Sequence, residues 1–271
     1  MAAGRAQNCR LSHALFDVRL SEDRQTLIVD LQRPCAVLSS APCRGGFVRA
    51  RYLLNHQVAA NAVHPSRRET VPSHSLAVTW PTPASTLRGL ARSLGLREVP
   101  VGLMTAVPMT KYVSTVARRD GQWVRCLTTV GVTNAVAAGE WPAAIGKKRR
   151  TRALGGQGFG TINLIVLIGS TLTPSAMVGA VQVATETKTA VLREQCVQTA
   201  RSKPATGTGT DAVAIAVGLD ERAPCLEYSG THTLIGALIA RVVRTSVERG
   251  LAKARRWDAT HRPASQRRRR V

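Results

Sequence analysis

The sequence predicts a single mixed α/β domain, in which one mixed β-sheet is flanked by helices. Three observations lead to this prediction. Apolar and polar residues alternate through much of the first half of the chain, which is typical of strands. In the second half, uninterrupted apolar runs alternate with helical patterns, as expected for strands buried on both faces. No internal repeat is visible, so we expect all elements to share one layered domain.

The beginning of the chain predicts an antiparallel hairpin. Residues 13–20 and 25–31 alternate apolar and polar side chains, and the intervening segment 21–23 (SED) has turn-forming residues. Leucines at helical spacing and a terminal glycine then predict a helix over 86–95. Two strands and a short helix capped by an asparagine follow, over 99–107, 123–132 and 134–139.

The second half of the chain predicts buried strands that alternate with helices. Residues 162–169 (INLIVLIG) form an apolar run without polar interruption. Thr173 followed by Pro174 is a typical helix start, and the helix is expected to run to about Cys196. Another buried strand and an amphipathic helix complete the domain, over 211–219 and 231–254.

Length and hydropathy define the expected domain and its surroundings. The chain has 271 residues and 44% hydrophobic residues, which suits one globular unit. We predict a flexible segment over 1–10, the folded domain over 11–254, and a basic, disordered tail over 255–271. The longest apolar run, 162–168, is too short to span a bilayer, and no secretory signal pattern is visible. A cytoplasmic protein without membrane contacts is therefore expected.

The net charge of +22 suggests a nucleic-acid partner, but its distribution weakens that suggestion. Residues 249–271 contain nine Lys/Arg against one Asp, and 147–152 (KKRRTR) contain five more basic residues. The basic residues therefore concentrate in a loop and a tail, without interleaved aromatic residues or a known reading motif. This pattern counts against nucleic-acid binding, although the tail leaves it open.

The standard motifs of metal, redox and nucleotide chemistry are absent from the sequence. The six cysteines include no C-x-x-C pair, so we expect reduced cysteines, several of them buried as small hydrophobic residues. The glycines at 155–160 precede a strand instead of following one, which excludes the dinucleotide fingerprint. No P-loop, H-E-x-x-H or G-x-S-x-G motif is present, and no metal ligand is predicted.

Small polar residues at the ends of the predicted elements are the candidate site. Asp211 and His232 flank the same strand-and-loop unit, and a carboxylate that orients a histidine would serve general acid–base chemistry. From the residues alone, a helix-capping His232, a turn residue at Asp211 and a solvated helix face for Glu186 and Lys188 stay open. The candidate positions for substrate binding are Thr105, Asn134, Thr161, Asn163, Lys188, Thr206, Gly207, Thr208, Gly209 and Thr210.

Six blocks of the sequence resemble the adenosylcobinamide amidohydrolase family of corrinoid salvage. They occur in the family's order across roughly 35–245, and the block at 160–192 is the most recognisable one. The blocks are VLSSAPCRGGFVRARYLLNHQV (37–58), VGLMTAV (101–107), TTVGVTNAVAAGEWP (128–142), GTINLIVLIGSTLTPSAMVGAVQVATETKTAVL (160–192), ATGTGTDAVAIAV (205–217) and YSGTHTLIGALIARVV (228–243). The basic loop 147–156 and the tail beyond about 250 lie outside the resemblance.

The resemblance implies a hydrolase that cleaves the aminopropanol amide of adenosylcobinamide, giving adenosylcobyric acid for cobalamin synthesis. The corrinoid is then the substrate partner and no separate cofactor is expected; the need for a metal and the oligomeric state stay open. A corrinoid-binding protein without hydrolytic activity, an amidase with another substrate and a basic nucleic-acid-binding protein are the alternatives.

Candidate roles follow from the needs of amide hydrolysis. Asp211 and His232 are predicted to form the acid–base pair, with Glu186 as the reserve base. The amides and hydroxyls of residues 206–210 would stabilise the oxyanion, and Asn134 and Asn163 would bind carboxamides of the corrin rim. In the alternative mechanism, Thr161 or a hydroxyl of the 206–210 loop is a covalent nucleophile.

Overall fold

The computed structural model describes residues 15–58, 82–140 and 160–261. These residues form one mixed α/β domain. A single 3-10 turn, Met109–Lys111, lies between the fourth and fifth strands. In chain order the elements are β1 (Asp17–Leu20), β2 (Thr26–Ser39), β3 (Gly46–Gln57), α1 (Pro83–Ser93), β4 (Val101–Thr105), β5 (Val113–Arg119), β6 (Gln122–Val130), β7 (Ile162–Ile168), β8 (Thr171–Leu172), α2 (Pro174–Glu194), β9 (Ala212–Val217), β10 (Cys225–Leu226) and α3 (Leu234–His261).

The main sheet is mixed, as the sequence predicts. Its strand order is β4-β3-β2-β9-β7-β6-β5, and β1 pairs with β2 beside this path. The pairs β3–β4 and β7–β9 are parallel, whereas the other neighbours in the main sheet are antiparallel. The short strands β8 and β10 form a separate parallel pair.

Apart from Asn163, the central strand β7 is apolar, because it faces a core on each side. Leu164, Val166 and Ile168 pack in a cluster that contains the buried faces of α2 and α3. Ile165 and Leu167 point the other way, into a cluster with residues of β2, β3 and β4. Side chains alternate across a strand, so the two clusters together account for an apolar residue at every position from Leu164 to Ile168. The predicted buried strand is therefore confirmed.

A bulge divides the long strand β2 into two parts that pair with different neighbouring strands. The pairing register with β3 shifts between Asp30 and Cys35, and Gln32 has a positive φ of 65°. Residues before the shift pair with β1, and residues after it pair with β9. Bulges bend and twist a strand, so the first half of β2 and the second half of β3, which pair with each other, can leave the plane of the central strands.

Helix caps position the two helices that the sequence predicts most clearly. The Thr173 hydroxyl accepts a hydrogen bond from the Ala176 amide, and Pro174 opens α2, as predicted. Thr82 and Pro83 play the same parts in α1, which therefore begins three residues before the predicted start. The helix predicted from 231 begins only at Leu234, because the Thr233 hydroxyl accepts from the Gly236 amide.

Several predicted elements differ from those observed. The short helix over 134–139 is wrong: Val136 forms a β-bridge with Gly207, and the amides of Thr206 and Gly207 donate to the Val136 carbonyl. The strands β3 and β5 were not predicted. Helix α3 continues through His261, so residues 255–261 are helical and the predicted disordered tail cannot begin at 255.

Some predictions lie outside the described residues. They are the flexible segment 1–10, the basic loop 147–156 and the tail beyond 261. Within the described ranges, no helix is long and apolar enough to cross a membrane. The cysteines in these ranges are free, and Cys35, Cys43 and Cys126 are buried, which confirms that several cysteines serve as small hydrophobic residues.

Candidate active site

The candidate site lies at the edge of the sheet where β7 and β9 begin. These two strands are parallel, with Asn163 opposite Ala212, so the residues that precede them meet at one edge. The end of the antiparallel strand β6 reaches the same edge, because Thr129 is opposite Asn163. The topology therefore brings together three polar segments that are far apart in the sequence.

Two threonine hydroxyls form the centre of this edge. The Thr161 hydroxyl donates to the Thr210 carbonyl at 2.8 Å, and the Thr210 hydroxyl donates to Thr161 Oγ1 at 3.1 Å. Thr161 is only 4% exposed, whereas Thr210 is exposed. The pair therefore places one shielded hydroxyl beside one that solvent reaches.

A close approach of two glycines fixes the backbone just before Thr161. A Cβ on Gly160 would lie 2.5 Å from the Gly131 carbonyl carbon and 2.8 Å from the Thr133 amide nitrogen. Contacts this short do not occur for real side chains, so only glycine fits at 160. The Gly131 amide also donates to the Thr161 carbonyl at 3.0 Å, which holds the two segments together.

Asp211 is buried and fully engaged within the protein. Its carboxylate pairs with the Lys188 ammonium at 2.5 Å, and the side chains of the two residues are 13% and 8% exposed respectively. It also accepts from the amides of Ile162 and Thr208 at 2.9 and 3.3 Å, and from the Thr208 hydroxyl. A carboxylate offers about four lone-pair directions, and these four donors occupy them. Asp211 therefore braces the site and has no free oxygen for a substrate proton.

The threonine–glycine loop is built around this ion pair. A Cβ on Gly207 would lie 2.6 Å from Asp211 Oδ2 and 3.1 Å from Lys188 Nζ, so glycine is required there. Gly209 has a φ of +76°, in the region that favours glycine. The alternation of glycine and threonine thus reflects both close approach and backbone conformation.

Most donors of the loop are already used, which corrects part of the predicted oxyanion site. The amides of Thr206 and Gly207 donate to Val136, and both donors of Thr208 serve Asp211. The Thr206 hydroxyl accepts from the Ala138 amide at 2.8 Å. Within the described ranges, the backbone amides of Gly209 and Thr210 donate to no backbone carbonyl, and both residues are exposed. These two are therefore the loop amides that a ligand can reach.

A buried polar chain lies on the β3, β4 and β6 side of the edge. The Asn163 amide group donates to Asn55 Oδ1 and to the Met104 carbonyl, both at 2.9 Å. Asn55 donates in turn to the Thr129 hydroxyl at 3.0 Å. Asn163 Oδ1 is buried and has no hydrogen-bond partner within the described part of the chain. Asn55 and Thr129 were not predicted, because each lies inside a strand without a motif around it.

Asn134 resembles Asn163 in leaving an amide oxygen unused. Its Nδ2 donates to the Thr208 carbonyl at 3.2 Å, while its Oδ1 is buried and lacks a partner among the residues described. Asn134 therefore lies at the predicted site. Thr105 differs, because its hydroxyl accepts from the Val107 amide at 3.0 Å and closes the end of β4. Its contact is structural.

The structure does not bring His232 or Glu186 to this edge. Ser229, three residues before His232, donates to the Ala176 carbonyl in the first turn of α2. Lys188, which pairs with Asp211, lies twelve residues further along α2, or about 18 Å along the helix axis. His232 and Asp211 therefore occupy opposite ends of the domain, and their predicted acid–base contact is not formed. Glu186 is exposed on α2, and its side chain forms no hydrogen bond or ion pair with the described residues of the site.

The described residues contain no group of three or more His, Cys, Asp or Glu side chains that could hold a metal ion. The groups that the described residues place at this edge are hydroxyls, backbone amides and asparagine amide oxygens, beside the Lys188–Asp211 ion pair.

Comparison with known proteins identifies a family. The family model described as adenosylcobinamide amidohydrolase matches residues 11–259. An adenosylcobinamide amidohydrolase of Methanosarcina mazei is 27% identical over 219 residues, covering 78% of this chain and 88% of that protein. An uncharacterized protein of Methanocaldococcus jannaschii is 26% identical over 258 residues, covering 90% of this chain and 92% of that protein.

Two solved structures show a weaker likeness. A protein from Pyrococcus horikoshii has a TM-score of 0.38 at 10% identity, covering 88% of this chain and 83% of that chain. A Burkholderia sp. beta-aminopeptidase has a TM-score of 0.36 at 12% identity, covering 85% of this chain and 78% of that chain. At these TM-scores the likeness supports no conclusion about the fold or the site.

Proposed function

Because the chain belongs to the adenosylcobinamide amidohydrolase family, and is therefore an amidohydrolase, we propose that it cleaves the aminopropanol amide of adenosylcobinamide. The products are adenosylcobyric acid and the aminopropanol, and the acid then re-enters cobalamin synthesis. The proposal places this salvage step in the cytoplasm, where the corrinoid product would be consumed.

One observation supports a particular location for the proposed reaction. The Thr161–Thr210 hydroxyl pair lies at the edge that also carries the unpartnered oxygens of Asn134 and Asn163. Amide hydrolysis needs a nucleophile, donors for the oxyanion and groups that orient the amide. This edge offers a group for each need.

The proposed nucleophile is the Thr161 hydroxyl. Its oxygen attacks the amide carbonyl carbon, and the free amides of Gly209 and Thr210 donate to the developing oxyanion. In the resting structure the Thr161 hydroxyl donates to the Thr210 carbonyl. For the reaction it turns towards Thr210 Oγ1, which takes its proton as the Thr210 hydroxyl gives its own proton to the leaving nitrogen, and this nitrogen departs as the amine. The acyl group then forms an ester with Thr161. Water hydrolyses this ester, releasing the carboxylic acid and restoring the hydroxyl.

The surroundings of Asp211, His232 and Glu186 favour the hydroxyl mechanism over the predicted acid–base pair. Asp211 has four donors on its carboxylate, His232 lies at the other end of α2, and Glu186 is exposed. None of these three side chains is hydrogen-bonded to the hydroxyl of Thr161 or Thr210. The role that we assign to Asp211 is to hold the loop and the start of β7 in place.

Substitution of Thr161 tests the proposal. We expect Thr161→Ala to lower kcat by roughly 10³-fold or more, and Thr161→Ser to retain activity because it keeps the hydroxyl. The matched control is Thr115→Ala, which removes a buried hydroxyl that bonds Val242 and Ser246 on the helix side of the sheet.

Steady-state kinetics on adenosylcobinamide, with circular dichroism to check folding, gives the readout. A folded Thr161→Ala variant with a kcat close to that of wild type would remove Thr161 from the chemistry. A wild-type protein that binds the corrinoid without cleaving it would favour the non-catalytic alternative.

A further inference from the structure

The neighbours of Asn163 fix the orientation of its side-chain amide, that is, which atom is the nitrogen and which is the oxygen. Both hydrogens of its amide nitrogen are used, one on Asn55 Oδ1 and one on the Met104 carbonyl. The Met104 carbonyl can only accept, so the Asn163 atom that faces both partners must be the nitrogen, and Asn55 therefore presents its oxygen to it. The remaining atom, Oδ1, is therefore an acceptor and cannot exchange places with the nitrogen without losing two hydrogen bonds.

Asn55 is fixed in the same way. Its nitrogen donates to the Thr129 hydroxyl, which leaves its oxygen directed at Asn163. The Thr129 side chain is fully buried within β6, and Asn55 is 2% exposed within β3. The Met104 carbonyl thus determines which atom of Asn163 stays unused, and the Asn55 and Thr129 side chains hold the Asn163 amide in place.

The unused oxygen needs a donor. Asn163 is 1% exposed, and an unsatisfied buried acceptor costs about 1–3 kcal/mol. Native structures contain few such groups, and each calls for a water, an ion or a ligand. Asn163 is two residues from Thr161, and side chains two apart along a strand point to the same face. The donor that completes Asn163 is therefore expected beside the reacting hydroxyl.

We propose that Asn163 Oδ1 accepts the N–H of the amide that is cleaved, and that Asn55 and Thr129 are positioning residues that hold this oxygen towards the substrate. The inference rests on the proposed function and adds a determinant of specificity to it. The enzyme would select amides because the N–H completes a buried hydrogen bond, whereas an ester places an oxygen against an oxygen.

The contact also has a chemical use. The amide nitrogen becomes pyramidal after attack at the carbonyl carbon, and its lone pair must then receive a proton. An acceptor that holds the existing N–H fixes the direction of the lone pair. The nitrogen is thereby oriented for protonation, and the C–N bond breaks with the amine as the leaving group.

An ester analogue separates this contact from a general structural effect. The probe is the corrinoid in which the N–H of the aminopropanol linkage is replaced by oxygen. We expect Asn163→Ala to lower kcat/KM on the amide by about 10- to 100-fold, and to leave kcat/KM on the ester within about threefold of wild type. Equal losses on the two substrates would overturn the proposal, because a damaged site or a missing buried water acts on both.

Asn55 supplies a second test through the positioning chain. Asn55→Leu removes the acceptor that orients Asn163, so the ratio of amide to ester activity should fall about tenfold. Asn55→Asp keeps an acceptor for Asn163, and in its protonated form also a donor for Thr129. We expect it to restore the ratio to within about threefold of wild type. A ratio unchanged in both variants would exclude the positioning role.

The two proposals fail in different ways. If wild-type protein does not hydrolyse adenosylcobinamide, the proposed function fails before this inference is reached. If wild type is active and Asn163→Ala loses amide and ester activity in parallel, only the role of Asn163 fails.

Discussion

Asp211 joins three parts of the chain through one carboxylate. Lys188 belongs to α2, Ile162 begins β7, and Thr208 belongs to the loop that precedes Asp211 itself. Removing the negative charge would leave the buried Lys188 ammonium uncompensated, which is more costly than losing an exposed ion pair. We therefore expect substitution of Asp211 mainly to lower the free energy of unfolding.

We expect Asp211→Asn to lower the free energy of unfolding by about 3 kcal/mol. Denaturant unfolding monitored by circular dichroism measures the change. Glu186→Gln, on the exposed side of α2, is the control and should stay within about 0.5 kcal/mol of wild type. The double variant Lys188→Met, Asp211→Asn should regain part of the loss, because it removes the uncompensated ammonium. A single-variant loss below about 1 kcal/mol would contradict the bracing role.

At the residue scale, the sequence predicts those site residues that stand at strand ends. Thr161, Asn163 and Thr210 stand at or beside the starts of β7 and β9, where strand boundaries are visible in the pattern. Asn55 is different, since it reaches Asn163 through the packing of β3 over β7, which no local pattern shows. The predicted Asp211–His232 contact relied on closeness in the chain, and the intervening strand β9 carries the two residues to opposite ends.

At the element scale, the approach of the residues before β7 to the end of β6 depends on glycine. Gly160→Ala would place a methyl group against the Gly131 carbonyl, whereas the helical Gly89 has nothing within 4 Å of its added Cβ. We expect Gly160→Ala to lower the free energy of unfolding by at least about 1–3 kcal/mol and to reduce activity. Gly89→Ala should stabilise the protein by roughly 0.5–1 kcal/mol. Thermal unfolding of the two variants checks the predicted loss of stability in Gly160→Ala and the predicted gain in Gly89→Ala. Equal changes in stability in the two variants would contradict the close approach of Gly160 to Gly131.

The hairpin of β2 and β3 should make stability depend on pH. Burial lowers the pKa of His56 below the ordinary histidine value of 6.5, although the Asp23 carboxylate and a backbone hydrogen bond act in the opposite direction. Its Nδ1 is 2.9 Å from the Thr26 hydroxyl oxygen. The unfolded chain therefore binds a proton more readily at this residue, so stability is lost as the pH falls below about 6.5.

The measurement is the free energy of unfolding from about pH 7.5 to about pH 5.5 for wild type and His56→Gln. Wild type should lose more stability over this range than the variant, which cannot titrate at that position. Parallel pH profiles would contradict the assignment to His56.

Elements with capping and burial signals were predicted well, and the others were not. Thr173 with Pro174 marks the start of α2 through local contacts that the sequence displays. The segment after Asn134 has a helical composition, but its backbone bonds go to the loop at 206–207, which lies about seventy residues away. Tertiary pairing of this kind overrides local propensity, so a single sequence does not reveal it.

At the scale of the whole molecule, two cores on the two faces of β7 and its neighbours protect the buried cysteines. Burial raises the pKa of the Cys126 thiol to about 12, and it also raises the pKa of Cys35 and Cys43. Cys196 and Cys225 are exposed. Since the thiolate is the reactive form, we expect iodoacetamide at about pH 8 to modify the two exposed cysteines and spare the three buried ones.

Peptide mass spectrometry of native and denatured samples checks this expectation. The five thiols of the described residues should all react after unfolding in guanidinium chloride. Modification of Cys126 at the same rate as Cys196 in the native protein would contradict the packing of the helix-side core.

The most direct test of the central claim is an anaerobic incubation of the purified protein with adenosylcobinamide, followed by chromatography and mass spectrometry. Wild type, Thr161→Ala and His232→Ala are compared, and a parallel sample with a chelator tests the need for a metal. We predict that wild type and His232→Ala release adenosylcobyric acid, whereas Thr161→Ala releases little. A folded wild-type protein that yields no adenosylcobyric acid, with or without chelator, would contradict the proposed function.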